Sequence, residues 1–224
     1  MWLLEGIAEL VFPTRCAGCD MPGAVVCSAC LEALPRIAPE GSCQRCGAPF
    51  GSLVCTECWQ QEWAFEAALA VGSFDAPLAR MVALHKDAGE RRLAEVLGGF
   101  LAEQVRERWG GWAQAVAFVP STRAALARRG FDHGAAIAEI VAQRLELPIL
   151  HRIERLAARD QRTLGRVARA ANIAGTFAVT AEVAGRVLLC DDVFTTGATL
   201  DAAAASLLEA GATAVRCAAV ARVW

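Results

Sequence analysis

The sequence predicts an α/β fold in which a mainly parallel sheet is flanked by helices, preceded by a small cysteine-rich domain. Two observations carry this. From residue 67 onward, short runs that are apolar on both faces alternate with amphipathic helical stretches, the pattern of parallel strands covered on two sides. Eight of the ten cysteines lie between Cys16 and Cys58, in four C-x-x-C pairs, which is metal-binding spacing rather than a disulfide framework. The boundary is placed at 62/63: residues 1–62 as a double zinc ribbon, residues 63–224 as the α/β domain.

The chain of 224 residues holds one sizeable core plus an appendage. Its net charge of −2 and high apolar content exclude a disordered chain, and bulk charge names no partner. The cysteine spacing places it in a reducing, cytoplasmic setting. At the N-terminus, Trp2, Leu3, Ile7, Leu10 and Val11 have helical spacing interrupted by Glu5 and Glu9, which reads as a packing helix rather than a leader. No stretch reaches the roughly 18 charge-free apolar residues of a membrane span, so no membrane insertion is expected.

Each cysteine pair can form one knuckle, and two knuckles complete a tetrahedral thiolate site. Eight ligands therefore imply two structural zinc ions. The short gaps favour sequential pairing: Cys16, Cys19, Cys27 and Cys30 in one site, Cys43, Cys46, Cys55 and Cys58 in the other. The alternative pairs the first knuckle with the third and the second with the fourth. Cys190 and Cys217 lie in apolar strands and are expected as buried hydrophobes.

The α/β elements follow in order. Residues 67–74 read as a strand. Residues 76–108 read as helix broken near Gly89, and 115–119 as a short strand ending at Pro120. A helix is predicted over 132–145, a brief strand over 147–150, and a loop or marginal helix over the arginine-rich 152–175. Strands follow at 176–179 and 187–190, a helix at 198–210 stopped by Gly211, and a last strand at 214–221.

Residues 187–200, VLLCDDVFTTGATL, carry the chemistry. A buried strand delivers Asp191 and Asp192 to its carboxyl end, where open α/β sheets bind ligands. Thr195, Thr196, Gly197, Ala198 and Thr199 then lead into a helix. Backbone N–H groups at a helix start, with hydroxyls beside them, suit a phosphate. Gly197 removes a side chain where that anion would come close. A phosphate in this loop leaves the rest of its ligand over the acids, which can accept hydrogen bonds from vicinal sugar hydroxyls. A ribose 5-phosphate site is the reading. A nucleoside triphosphatase is disfavoured, because the G-x-x-x-x-G-K-[ST] signature is missing. The sole lysine, Lys86, is notable among 22 basic residues, since ammonium and guanidinium are not interchangeable at a tight site.

Residues 187–199 closely resemble the phosphoribosyl pyrophosphate (PRPP) motif of type I phosphoribosyltransferases. With the four C-x-x-C pairs, VPSTRAALARRGFDHG at 119–134 and QRTLGRVARAANIAGTF at 161–177, residues 10–220 resemble the ComF family of amidophosphoribosyltransferase-like proteins, associated with competence for DNA uptake. The resemblance implies a type I phosphoribosyltransferase-like sheet, magnesium accompanying PRPP, and Asp191 and Asp192 on the ribose hydroxyls. It also implies a 5-phosphate cradle from Thr195 to Thr199, and a pyrophosphate loop at Ser121, Thr122 and Arg123 with Arg128 and Arg129 as accessories. Gln161, Arg169 and Asn172 would stand in a flexible catalytic loop. The family usually reads R-G-F-N-Q, whereas here Asp132 and His133 follow R-G-F.

Two functions follow. One is a phosphoribosyltransferase acting on an unidentified acceptor. The other is a non-catalytic protein, responsive to PRPP or nucleotide, that contacts single-stranded DNA or the uptake machinery. The second draws on the 119–175 stretch, with ten arginines against five acids, although residues 1–62 offer few basic groups for nucleic acid.

Overall fold

A computed structural model describes residues 13–49, 53–156 and 176–224. Five parallel strands form the central sheet: β1 (Ala67–Ser73), β2 (Ala115–Phe118), β3 (Ile149–Leu150), β6 (Arg186–Phe194) and β7 (Ala214–Arg222), in the order β1-β7-β6-β2-β3. A small antiparallel pair, β4 (Ile153–Arg155) and β5 (Phe177–Val179), stands apart from it. Residues 177–179 therefore make a strand, as expected, but outside the main sheet. Residues 153–155, read as part of a loop or marginal helix, are its partner.

Helices cover both faces. On one lie α3 (Leu78–Asp87), α4 (Leu93–Trp109) and α6 (His133–Leu145), packed against Leu188, Cys190, Ala218 and Val220. On the other, α7 (Ala198–Glu209) packs against Val187, Leu189, Cys217 and Ala219. The alternation along β6 is the period-2 rule at work. The expected break in 76–108 falls at Gly89, which takes φ +74°. A helix that periodicity does not reveal, α5 (Arg123–Arg129), contains no buried residue and so shows no apolar stripe.

The two cysteine modules lie on opposite faces of the sheet. Ala17, Val25 and Val26 of the first, which contains α1 (Ser28–Glu32), join the α3/α4/α6 core. Cys43, Cys46 and Cys58 of the second, which contains α2 (Thr56–Trp59), join the α7 core. The segment between them runs along the outer edge of β1, where Ile37 N–H donates to Val71 O (3.0 Å) and Ser73 N–H donates to Pro35 O (2.8 Å). It thereby covers a strand edge that would otherwise be open.

Within each cysteine group the four sulfurs lie within 4.8 Å of one another, so the pairing is sequential. Sulfur separations of 3.6 Å (Cys16–Cys27), 3.7 Å (Cys19–Cys27) and 3.7 Å (Cys46–Cys55) match the roughly 3.8 Å edge of a tetrahedron with Zn–S bonds of about 2.3 Å. Burial raises the proton affinity of Cys16, but N–H donors from Cys27, Cys19 and Gly18 outweigh it and bring its pKa down to about 6. Cys43 comes down to about 7 by the same balance, chiefly through the Cys55 N–H. Both groups could hold zinc. Cys190 and Cys217 are fully buried in the sheet. Among the described residues no helix is long and apolar enough to cross a membrane.

Candidate functional site

Strand β6 is longer than the apolar run suggests. β2 pairs with it only as far as Cys190, whereas β7 follows it to Phe194. Asp191 and Asp192 are thus held in extended backbone by β7 while the β2 side stands open. Beyond the end of β2, a cleft of about 310 Å³ forms at the carboxyl ends of the strands. Its walls include Asp191, Asp192, Thr195 and Thr199 from β6 and the turn into α7, and Ser121 and Thr122 from the turn after β2. Lys86 from α3, Arg129 from α5 and His133 from α6 complete the opposite side.

The two acids point to opposite faces, as neighbours in a strand must. Asp192 is 3% exposed. Its Oδ2 receives Lys86 Nζ at 2.7 Å and His133 Nε2 at 3.1 Å, and its Oδ1 receives the Val193 N–H at 2.8 Å. Burial pushes this carboxyl up, but the His133 hydrogen bond and the Lys86 charge prevail and hold it well below the usual carboxylate range. Asp191 is half-buried and its Oδ1 accepts the Asp192 N–H at 2.8 Å. Burial first, and the neighbouring Asp192 charge second, raise its proton affinity well above the ordinary value. One acid is thus saturated by donors and fixed as an anion; the other faces the cleft with capacity to spare.

Asp132 is the N-cap of α6. Its Oδ1 accepts from Gly134 N (3.0 Å) and Ala135 N (3.2 Å), and its Oδ2 accepts from Ser121 N (2.8 Å). One carboxylate therefore caps the helix and fastens the Ser121 turn. Thr122 caps α5 by accepting the Ala125 N–H at 3.1 Å. His133 Nδ1 lies 3.1 Å from Ser121 Oγ and 3.2 Å from Arg129 Nη1. Arg129 Nη2 donates to Asp87 at 2.9 Å, while its Nε–H is buried without a partner.

The turn at 195–199 rests on an aromatic base. Gly197 has φ +84°, and a Cβ there would meet Phe194 Cε2 at 2.7 Å and Trp63 Cη2 at 2.9 Å. The glycine is therefore required by its left-handed backbone and by the rings beneath it, a reason beyond room for an anion. Arg222 stacks 4.2 Å over the Phe194 ring and donates to the carbonyls of Phe194 and Thr195 from below. Ala64 N–H donates to Asp201 Oδ1 at 2.7 Å, which ties the end of the second cysteine module to α7. At the first turn of α7, beside Thr195 and Thr199, the Ala198 N–H donates to Thr196 Oγ1 at 3.5 Å, and a helix start leaves its first N–H groups without intrahelical partners.

The structure therefore gathers Asp191, Asp192, Thr195, Thr199, Ser121, Thr122, Lys86 and Arg129 around one space. Thr196, Gly197 and Ala198 form the turn beside it. Arg123 and Arg128 are exposed on α5 and do not line the cleft. Gln161, Arg169 and Asn172 lie outside the described residues, as does the N-terminal helix expected around Trp2. Arg155, stacked over Phe177 at 5.2 Å, also reaches the cleft; its place at the edge of the arginine-rich segment was the only local signal for it.

Residues 131–223 match the phosphoribosyl transferase domain. The DNA utilization protein YhgH of Salmonella typhi is 28% identical over 222 residues, covering 92% of this chain and 96% of the relative. The protein of the same name from Salmonella typhimurium strain LT2 is 27% identical with the same coverage. Orotate phosphoribosyltransferase from Aeropyrum pernix is 21% identical over 64% of this chain and 63% of that one, with a TM-score of 0.35, too loose a superposition to carry residues across.

Proposed function

We propose that this chain is a ComF-like protein whose type I phosphoribosyltransferase-like domain binds PRPP in the cleft and transfers the phosphoribosyl group to an acceptor. The observation that supports this most is the junction of Asp191 with the 195–199 turn at the open end of β6, facing Ser121 and Arg129 across the cleft. In this reading the α7 start and the hydroxyls of Thr195 and Thr199 take the 5-phosphate. Asp191 accepts from the ribose hydroxyls, and Asp192 anchors the basic wall. Ser121, Thr122 and Arg129 meet the pyrophosphate. The family resemblance assigns a covering role to Gln161, Arg169 and Asn172, which lie outside the described residues. Residues 1–62 serve as the zinc-held part and 63–224 as the ligand-binding part, in the cytoplasm.

The bond between the anomeric carbon and the pyrophosphate oxygen breaks, and its electron pair leaves with pyrophosphate. A lone pair of the acceptor forms the new bond, and the acceptor loses a proton. Positive charge develops on the ribose, so the protein contributes position and electrostatics rather than a covalent intermediate. The donors around the cleft are carboxylate and hydroxyl oxygens, which suit magnesium. Asp191 and the ligand's own phosphates would hold it, and it would neutralise the leaving group.

A second reading is a ligand-responsive DNA-handling protein without transferase activity. The names of the two Salmonella relatives and the exposed Arg123 and Arg128 beside the cleft favour it. Labelled PRPP incubated with magnesium and a panel of bases, amines and single-stranded DNA separates the two. Acceptor-dependent pyrophosphate release supports transfer. Binding without release, together with DNA retention weakened in an Arg123→Ala/Arg128→Ala variant, supports the second.

A further inference from the structure

We infer that His133 is a positioning residue whose neutral Nε2–H tautomer couples the Ser121 turn to the β6 acids, making ligand affinity fall as the imidazole is protonated. The inference rests on the PRPP reading of the cleft. An arginine only donates, so Arg129 Nη1 at 3.2 Å requires Nδ1 of His133 to accept. Ser121 Oγ at 3.1 Å shares that acceptor. The ring proton then sits on Nε2 and donates to Asp192 Oδ2 at 3.1 Å.

Every element packed on the ring presents a group consistent with this assignment. The β2 turn gives Ser121, α5 gives Arg129, and β6 gives Asp192. From α3, Lys86 shares the Asp192 oxygen, Asp87 holds the far side of Arg129, and His85 Nε2 lies 3.3 Å from the His133 carbonyl. A second ring proton would point Nδ1–H at a guanidinium. Arg129 would have to withdraw and the Ser121 hydroxyl to turn, and both line the cleft. The imidazolium's own attraction for an anion opposes this loss, but the ring is 7% exposed and has no free N–H to offer a ligand.

Glutamine at 133 offers an acceptor and a donor without a titratable group. Nitrogen-15 resonances of the His133 ring in the ligand-free protein test the tautomer directly: an unprotonated Nδ1 at neutral pH is expected, and a protonated Nδ1 overturns the inference. Affinity for magnesium–PRPP is then measured as a function of pH, from neutral into the acid range, in wild type, His133→Gln and His133→Ala. H133Q should match wild type at the upper end and exceed it by about tenfold at the lower end, the equivalent of one hydrogen bond to a charged group. H133A should be weaker at every pH. Parallel wild-type and H133Q curves overturn this inference alone. Absence of wild-type binding at every pH overturns the ligand reading and this inference with it.

Discussion

Lys86 Nζ and Asp192 Oδ2 lie 2.7 Å apart although 106 positions separate them in the chain. The contact pins the last turn of α3 to the strand that carries both acids. Asp192 is nearly inaccessible, whereas Lys86 keeps 33% of its side chain exposed, so the pair is a buried anion with a half-solvated counter-ion.

Replacing Lys86 with Met should therefore cost about 2 kcal/mol, less than the 3–5 of fully buried pairs. Urea unfolding measures it. Because the folded-state pKa of Asp192 is lowered, its contribution is present above the unfolded value of about 3.9 and is lost as pH falls from there toward the folded value. The wild-type advantage over K86M should shrink below about pH 4; an advantage independent of pH there would refute the ion pair.

Gly197→Ala places a Cβ against Phe194 and Trp63 at a left-handed backbone position. Strain and overpacking together should lower stability by about 2–4 kcal/mol. A thermal melt unchanged from wild type would show that the turn and its rings rearrange freely.

Asp132→Ala removes the α6 cap and the tie to Ser121, at about 1–2 kcal/mol. Asp132→Asn keeps one capping oxygen but sets its NH2 group against the Ser121 N–H, so it should recover only the capping part of the loss in the same denaturation series. An equal loss in both variants would assign the effect to charge rather than capping.

Elemental analysis should find two zinc ions per chain. Cys16→Ser with Cys19→Ser should remove one, and Cys43→Ser with Cys46→Ser the other, because each group closes on itself. One metal or none in the wild type contradicts the count, and loss of both from either variant contradicts the sequential pairing.

Much of this site is legible in local sequence. The run VLLC ahead of Asp191 and Asp192 announces a buried strand, and TTGAT announces a turn into a helix. What local sequence conceals is long-range. The strand continues to Phe194 because β7 keeps pairing with it, which no periodicity in 187–194 discloses. Helix α5 escapes notice because none of its residues is buried. Asp132 and His133 read as a departure from the family's R-G-F-N-Q pattern; in the fold, one is a helix cap and the other a bridge between Ser121 and Asp192. The cysteine spacing predicts two closed sites, but only the passage of residues 35–37 along β1 shows why they end on opposite faces.

The central claim is that Asp191, at the open end of β6, and the 195–199 turn hold a phosphoribosyl ligand. Asp191→Asn tests it with least disturbance, because Asp192 carries the buried ion pair and its loss would confound folding with binding. Titration calorimetry with PRPP and magnesium should show one equivalent bound by the wild type and at least about tenfold weaker binding by Asp191→Asn, as expected when an amide replaces a carboxyl that accepts from sugar hydroxyls and would hold magnesium. Equal affinity in the two proteins, or no heat of binding in the wild type, would contradict it.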